Sequence, residues 1–304
     1  MTFLRSGPAL AAAAMGCVGS SVAVSATITG APLFTLQAVR YALAAVLLTA
    51  FVRATGRRLP RPRGSEWAWL GGIAVTGLVL FNVGVVRGVA HAEPAVIGVA
   101  VAAVPLVLAV LGPVSAGRRP TGAVVAGAAV VTAGAVLVSG GGHTDLAGLG
   151  WAAVVLVCEV SFTLLAVPVL GRLGPWAVAL HTVWIAAVLL AGLGLLVEGP
   201  GAVTTLDVRD LRAAVHLAVV VTALAFVLWY TAVSRIGADR AGLFTGVVPA
   251  TAAVGGMLVG GPLPAPAVWA GIGLVAAGSV VGLRGPRFPE TRRGTTGESV
   301  RPGA

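Results

Sequence analysis

Apolar residues dominate the chain in runs of about 20 residues, separated by short segments rich in Arg, Pro and Gly. A helix needs about 20 mainly apolar residues to cross the hydrocarbon core of a bilayer. The pattern therefore predicts an all-α integral membrane protein with about ten transmembrane helices. The predicted spans are 9–28, 33–52, 67–88, 95–113, 121–139, 146–167, 175–197, 212–234, 240–260 and 267–283. The break near His91–Pro94 is short, so nine spans or one re-entrant segment are the alternatives.

The amino-acid composition also indicates that most of the chain lies within the lipid bilayer. Hydrophobic residues make up 58% of its 304 positions and charged residues only 10%, whereas soluble domains are about a quarter charged. The first apolar run is long and lacks a convincing cleavage region, which favours a first membrane helix over a signal peptide. Cys17 and Cys158 both lie inside apolar runs, so we predict no disulfide framework, metal site or cofactor.

The arginines orient the predicted helices. The net charge is +10 and every basic residue is Arg, but these residues lie in short loops, which favours topology signals over nucleic-acid binding. One set of segments holds most of them: Arg5, Arg53, Arg57, Arg58, Arg61, Arg63, Arg118, Arg119, Arg172, Arg235, Arg240, Arg284, Arg287, Arg292, Arg293 and Arg301. The opposite loops hold Arg87, Arg209 and Arg212. Cytoplasmic loops are the Arg-rich ones, so we predict a cell-membrane protein with both termini in the cytoplasm.

The two halves of the chain repeat one another. Pro105 and Pro249 lie inside spans 4 and 9, 144 residues apart, and two glycine pairs in spans 5 and 10 keep that offset: Gly127 with Gly271, and Gly134 with Gly278. Each unit has five spans, so the second copy must enter the membrane from the opposite face. We therefore predict two inverted repeats, 1–143 and 144–285, followed by a disordered cytoplasmic tail at 286–304. Inverted repeats are a transporter architecture, with the site at their interface.

The chain resembles the EamA-type transporters of the drug/metabolite transporter superfamily. The similarity covers about residues 9–283 and rests on the five-plus-five layout, the stretch from Pro32 to Arg40 (PLFTLQAVR), and a proline inside spans 4 and 9 before a Gly/Ala-rich span. The resemblance implies export of amino acids or other small metabolites by alternating access. The second half has no Arg equivalent to Arg40, with His181 near that position, and the loop before span 4 carries an unusual HAEP sequence.

Two ionisable residues inside spans are the main site candidates, because a charge at membrane depth is costly and usually functional. Glu159 lies near the middle of span 6 among mostly apolar helical neighbours. It could bind a substrate amine, relay a proton or serve as a buried neutral acid. Arg40 lies about eight residues into span 2. Its guanidinium could bind a substrate carboxylate in a bidentate manner or pair with Glu159.

Other polar and aromatic residues inside spans complete the list. Those that could line the site or bridge helices are Gln37, Asn82, His181, Trp184, Trp229 and Tyr230. Interhelical hydrogen bonds are common and weak in membranes, so a packing role is the alternative for each of them. Pro105 and Pro249 each free a backbone carbonyl, which predicts kinks that act as hinges or give static curvature.

The sequence gives less support to functions other than transport. No H-E-x-x-H, G-x-S-x-G or Walker sequence is present, which disfavours an intramembrane enzyme and gives no catalytic residue. A non-transporting scaffold or sensor is a further alternative. Small-xxx-small spacings at Gly256/Gly260 and Gly278/Gly282 allow close helix contact, either within the chain or in a homodimer.

Overall fold

The computed structural model describes residues 6–25, 30–140, 142–258 and 263–284, and these residues are helical throughout apart from short connections and one isolated antiparallel bridge between Ala92 and Thr144. The helices follow in chain order: α1 Gly7–Ser25, α2 Leu33–Ala54, α3 Glu66–Val89, α4 Pro94–Ser115, α5 Gly122–Ser139, α6 Leu146–Leu164, α7 Val167–Val197, α8 Val208–Ile236, α9 238–258 and α10 Pro266–Leu283.

Eight of the described helices, α2 to α8 and α10, are long and apolar enough to cross a bilayer. The prediction of an all-helical, multi-pass membrane protein is therefore confirmed. α1 and α9 occupy the positions of predicted spans 1 and 9, and the total of ten crossings stays a prediction. The predicted tail at 286–304 lies outside the described residues.

The helix boundaries follow the local chemistry. α3 ends at Val89 and α4 begins at Pro94 as a separate helix, so the break between them is a turn and the two segments do not form one continuous helix. α7 begins at Val167, eight residues before predicted span 7, and bends at Gly174, whose φ of 74° suits glycine. Pro175 then starts the straight part of α7, because proline fits the first turn of a helix.

α5 and α10 pack antiparallel with almost no space between their backbones. A Cβ on Gly134 would lie 2.7 Å from the Gly271 carbonyl oxygen, and one on Gly271 would lie 2.6 Å from the Gly134 carbonyl oxygen. Gly127 and Gly278 show the same reciprocal contact, at 2.6 and 2.7 Å. Because Gly127 corresponds to Gly271 and Gly134 to Gly278 at the offset of 144, the two contacts are equivalent under exchange of the halves.

α2 and α7 also pack against each other, with contacts near both ends. Glu198, which follows α7, accepts hydrogen bonds from the Phe34 N–H (2.8 Å) and from the Thr35 N–H and hydroxyl (2.8 and 2.7 Å). The carboxylate thus satisfies free amide groups at the first turn of α2. At the other end, the Phe51 and Trp176 rings stack with centroids 4.8 Å apart. These contacts fix α2 against α7 along its length.

Helix irregularities recur at the repeat offset. π-helical turns occupy Ile73–Leu80 in α3 and Leu217–Leu224 in α8, 144 residues apart at both ends. α4 is interrupted at Ala103, two residues before Pro105, and α9 contains a 3₁₀ turn, Leu243–Gly246, just before Pro249. Both predicted kinks thus coincide with irregular backbone, while a hinge motion at these prolines stays a prediction.

Candidate functional site

A hydrogen-bonded polar cluster lies between α2, α3 and α8. The Arg40 Nε donates to Thr222 Oγ1 (2.9 Å), and its Nη1 donates to Gln37 Oε1 (3.2 Å). The Gln37 Nε2 donates to Asn82 Oδ1 (2.9 Å), and the Asn82 Nδ2 donates to the Tyr41 hydroxyl (3.3 Å). We call these five residues the Arg40 cluster. Three of the sequence candidates, Gln37, Arg40 and Asn82, are brought together here.

The Arg40 guanidinium lies 4.9 Å from the centre of the Tyr41 ring and has no carboxylate beside it in the described residues. The side chain is buried, with 9% of its residue surface exposed, and within the described part of the chain no carboxylate lies within salt-bridge distance of it. Thr222 and Gln37 use two of its five N–H donors. A buried charge is costly unless it is paired, so the cluster is suited to an anionic group such as a carboxylate.

The π-helical turns shape this cluster. Asn82 follows the π turn of α3 and its Nδ2 also donates to the Leu78 carbonyl oxygen at 2.5 Å. Thr222 lies within the π turn of α8. Single π turns occur often at functional sites because they widen the helix and redirect side chains. Here both turns place a polar group next to α2.

Glu159 lies on α6 where this helix contacts α3 and α8. One turn before it, Val155 lies against Gly84, and one turn after it, Phe162 lies against Gly77. Glu159 lies between these contacts on the same side of α6. It is partly buried, and within the described residues it forms no salt bridge with Arg40. The structure thus places the two charged candidates in separate positions rather than in one ion pair.

Tyr230 lies near both Glu159 and Tyr41 of the Arg40 cluster. Its side chain is fully buried, and its hydroxyl has no hydrogen-bond partner among the described residues. Thr182 lies close to this hydroxyl, and Glu159 and Tyr41 lie within electrostatic range of it. A buried hydroxyl without a partner is uncommon, and the neighbouring Thr182 is close enough to accept a hydrogen bond from it after a small adjustment of either side chain.

Aromatic packing surrounds the Glu159 side of the site. The Phe162 ring lies 4.9 Å from Phe226 and 5.2 Å from Tyr230, measured between centroids. Trp229 is buried, and its Nε1 donates to Thr163 Oγ1 at 3.2 Å, so this tryptophan ties α8 to α6. These rings give the site an apolar wall.

His181 and Trp184 lie apart from the Arg40 cluster. The Trp184 Nε1 donates to His181 Nδ1 (2.9 Å), and both rings lie against Trp67 at the start of α3. Trp184 is 38% exposed. At the offset of 144, His181 corresponds to Gln37 and Trp184 to Arg40, and both pairs form an i+3 to i hydrogen bond. The two repeats thus keep the spacing but differ in chemistry.

Two loops join at the end of the bundle that we predict to be outside the cell. His91 Nδ1 lies 3.2 Å from Asp145 Oδ2, and His143 Nδ1 lies 3.2 Å from Glu93 Oε1. These two pairs lie on either side of the Ala92–Thr144 bridge and border an open cavity of about 560 Å³. All four side chains are well exposed, so the pairs are weak individually. They connect the α3–α4 turn to the start of α6, the helix that carries Glu159.

Asp145 gives a pH-dependent test of this connection. Its carboxylate accepts a hydrogen bond from the Gly148 N–H (2.7 Å) at the start of α6, and this bond, with the contact to His91, lowers the pKa of Asp145 below its usual 3.8. The stability that it contributes is therefore present above about pH 3.8 and is lost as the pH falls further. We expect Asp145→Asn to lower the thermal unfolding temperature at pH 7, with a difference from the native protein that shrinks below pH 3.8.

The measurement is thermal unfolding of the purified protein in detergent at several pH values. Glu93→Gln is the matched control, because Glu93 contacts His143 in the same loop pair without its side chain capping a helix. A difference between Asp145→Asn and the native protein that is constant from pH 7 to pH 3 would contradict this account of the cap.

The chain is similar to known membrane transporters over most of its length. The model of the EamA-like transporter family matches it twice, at residues 5–140 and 146–283. A relative from Streptantibioticus cattleyicolor, described as a probable terminal-alkyne amino-acid exporter, is 28% identical over 242 residues, which cover 79% of this chain and 80% of the relative. The uncharacterized transporter YetK of Bacillus subtilis is 24% identical over 251 residues, covering 80% of this chain and 76% of YetK.

The fold also has a solved counterpart. One crystal structure superposes with a TM-score of 0.76 at 21% sequence identity, and the match covers 91% of this chain and 96% of the other. At that identity the likeness establishes the fold alone.

Proposed function

Because this chain belongs to the EamA-like transporter family, we propose that it exports amino acids or related small metabolites by alternating access between two inverted five-helix repeats, 1–143 and 144–285. The family and the relatives named as transporters indicate transport of a small molecule rather than catalysis. The single observation that carries the substrate class is the buried Arg40 guanidinium with no carboxylate partner in the described residues.

Three features support the inverted repeats. The family model matches each half separately, the π-helical turns recur at an offset of 144, and the glycine contacts between α5 and α10 are reciprocal. Units of five crossings are necessarily inverted relative to each other. Such repeats can exchange conformations, so that one site opens to each side of the membrane in turn.

The Arg40 cluster and Glu159 have separate proposed roles. Arg40 binds the substrate carboxylate with its free N–H groups, and Gln37 and Asn82 hold the guanidinium and extend the polar surface. Glu159 contacts the substrate amine or exchanges a proton during the cycle, with the Tyr230 hydroxyl beside it. An amino acid carries both groups, and the relative described as an amino-acid exporter supports this substrate class.

We place the protein in the cell membrane with both termini in the cytoplasm, because the Arg-rich connections are then cytoplasmic. A homodimer stays a prediction. Gly278 and Gly282, one of the two predicted contact pairs, pack against α5 and α9 of the same chain, and Gly260 lies outside the described residues. A scaffold or sensor is the alternative function, and it predicts that overproduction changes no metabolite outside the cell.

The experiment compares metabolites in the medium of cells that overproduce the native protein, Glu159→Gln or no protein, at matched membrane levels. We expect one or more amino acids to accumulate outside with the native protein and at least tenfold less with Glu159→Gln, because one buried charged contact is worth about 1.5–3 kcal/mol. Enrichment with both proteins would support export but would show that the Glu159 carboxylate is not required for it. No enrichment with either would favour the scaffold or sensor.

A further inference from the structure

Glu198 is a half-buried acid at the C-terminal end of α7, on the side of the bundle that we predict to face outside the cell. It is the C-cap residue of that helix. A carboxylate is disfavoured there, because the C-terminal end of a helix carries partial negative charge. In the part of the chain that the structure describes, no basic side chain lies within salt-bridge distance of it. The stabilisation of this carboxylate therefore comes from neutral groups outside its own helix.

The neighbouring α2 supplies that stabilisation. The Glu198 Oε1 accepts a hydrogen bond from the Phe34 N–H (2.8 Å), and its Oε2 accepts from the Thr35 N–H (2.8 Å) and hydroxyl (2.7 Å). Hydrogen bonds to an ionised carboxylate are roughly twice as strong as those between neutral groups. Because the two oxygens bind two successive residues, they hold the rotation of α2 about its axis as well as its depth in the membrane.

α2 depends on this contact because it has no cap of its own. Its N-cap residue is Pro32, which forms no side-chain hydrogen bond to the helix. By contrast, α8 also begins at this end and contributes to the same polar cluster, but it caps itself with Asp207 and Asp210. The first N–H groups of a helix have no partner within it, so the first turn of α2 is capped from the second proposed repeat.

Gly194 brings α7 close enough to α2 for this contact. It lies one turn before Glu198, and a Cβ on it would lie 2.9 Å from Thr35 Oγ1 and 3.3 Å from the Thr35 nitrogen. No side chain therefore fits between α7 and the first turn of α2. A Cβ on Gly192, two residues earlier, would have nothing within 4 Å of it, so Gly192 is not part of the contact.

The capped turn is rigidly connected to the Arg40 guanidinium. Arg40 follows Thr35 by five residues, which is about 7.5 Å along a helix axis. The sequence between them is LQAV, without Gly or Pro, and α2 is helical from Leu33 to Ala54. Gln37, which accepts the Arg40 Nη1 bond, lies in the same stretch. A shift of the first turn of α2 is therefore carried to both members of the cluster.

We propose that Glu198 is a positioning residue for substrate binding: by capping α2, it sets where the Arg40 guanidinium meets the substrate carboxylate. This inference rests on the role of Arg40 in the proposed function. Glu198 acts through α2 rather than by contact with the substrate. Binding groups tolerate only small displacements, so loss of the cap weakens the binding of the substrate. Loss of a binding interaction raises the KM with little change in kcat.

The test measures the concentration dependence of amino-acid efflux from liposomes that contain the purified protein. Glu198→Gln places an NH2 group against the Thr35 donors, and we expect it to raise the KM about tenfold, as does the loss of one hydrogen bond to a charged group. Glu198→Asp keeps the charge on a shorter side chain, and its KM is expected to lie between the two. Helical content by circular dichroism confirms that each variant is folded.

Two glycine variants test the position of α2 without a change of charge. Gly194→Ala pushes the first turn of α2 away from α7, and we expect it to raise the KM as Glu198→Gln does. Gly192→Ala is the matched control on the same helix and is expected to keep the native KM. An equal KM for the two glycine variants would contradict a role for the α2–α7 contact in substrate binding.

Hydrogen exchange of residues 33–36 tests the cap independently of transport. We expect the Phe34 and Thr35 amides to exchange faster in Glu198→Gln than in the native protein, because they lose an acceptor. Unchanged exchange would show that Glu198 does not cap α2 and would overturn the inference.

Coupling to Arg40 separates a positioning role from a general structural one. In an Arg40→Gln background, we expect Glu198→Gln to cause no further rise in the KM, because the guanidinium that it positions is already absent. An equal rise in both backgrounds, or a native KM in Glu198→Gln alone, would overturn this inference and leave the proposed function standing. No saturable efflux from the native protein would instead contradict the proposed function, and this role with it.

Discussion

Replacement of Arg40 by Gln is expected to abolish most export while leaving the protein in the membrane at its native level. Gln keeps a hydrogen-bonding side chain but removes the charge and the planar fork that suits a carboxylate. A hydrogen bond to a charged group contributes about 1.5–3 kcal/mol, so we expect export of the amino acid to fall by about ten- to a hundredfold. Arg40→Lys keeps the charge without the fork, and we expect an intermediate rate.

The measurement is the initial rate of efflux from loaded cells, normalised to protein in the membrane. Arg87→Gln is the matched control, because Arg87 is an exposed arginine at the end of α3 and lies outside the Arg40 cluster. Thr222→Val removes only the acceptor of the Arg40 Nε, and we expect a smaller loss than with Arg40→Gln. Native efflux in Arg40→Gln would show that the cluster serves helix packing alone.

Replacement of Gly271 by Ala is expected to destabilise the protein strongly, although Ala is normally the better helix former. The added Cβ would lie 2.6 Å from the Gly134 carbonyl oxygen, so α5 and α10 must move apart. Overpacking of this kind costs about 1–3 kcal/mol. Gly273 lies on the same helix, and a methyl group added there would have nothing within 4 Å of it. We therefore expect Gly273→Ala to be neutral or slightly stabilising.

Thermal unfolding in detergent, followed by loss of helical signal and by aggregation, compares the two variants. Gly134→Ala places its methyl group against the Gly271 carbonyl from the other side of the same contact, and we expect it to destabilise as Gly271→Ala does. Equal unfolding temperatures for Gly271→Ala and Gly273→Ala would contradict the close α5–α10 contact, which supports the pseudo-twofold relation of the repeats.

Much of the fold follows from hydrophobicity and from the glycine and proline positions. Runs of apolar residues predict most helix boundaries to within a few residues because the bilayer imposes one length on every crossing. The early start of α7 was not predictable from hydrophobicity, since Pro168 and Arg172 make residues 167–173 read as a connection, whereas the structure shows them helical up to the turn at Gly174. The π-helical turns in α3 and α8 have no residue signature, because any apolar sequence can accommodate one extra residue in a turn.

Site residues could be predicted from the sequence where a strongly polar side chain lies in an apolar span, because such a side chain is costly in lipid. They could not be predicted where the role depends on which way the side chain points. Gln37, Arg40 and Asn82 stand out as strong polar groups in apolar spans, and the structure joins them. Tyr41 and Thr222 were missed because hydroxyl groups are common in membrane helices and pair cheaply. His181 has the same kind of sequence signal as Gln37, but it contacts Trp184 and Trp67 instead of the cluster. Sequence alone did not establish which side of α7 faces the interior.

The central claim is that this chain moves amino acids by exposing one site to each side of the membrane in turn. The most direct test reconstitutes the purified native protein in liposomes loaded with a labelled amino acid and measures its efflux. The account predicts saturable efflux that unlabelled amino acid on the opposite side accelerates, since an alternating-access carrier can return loaded. Efflux no faster than from protein-free liposomes, for every amino acid tested and with folded protein confirmed, would contradict it.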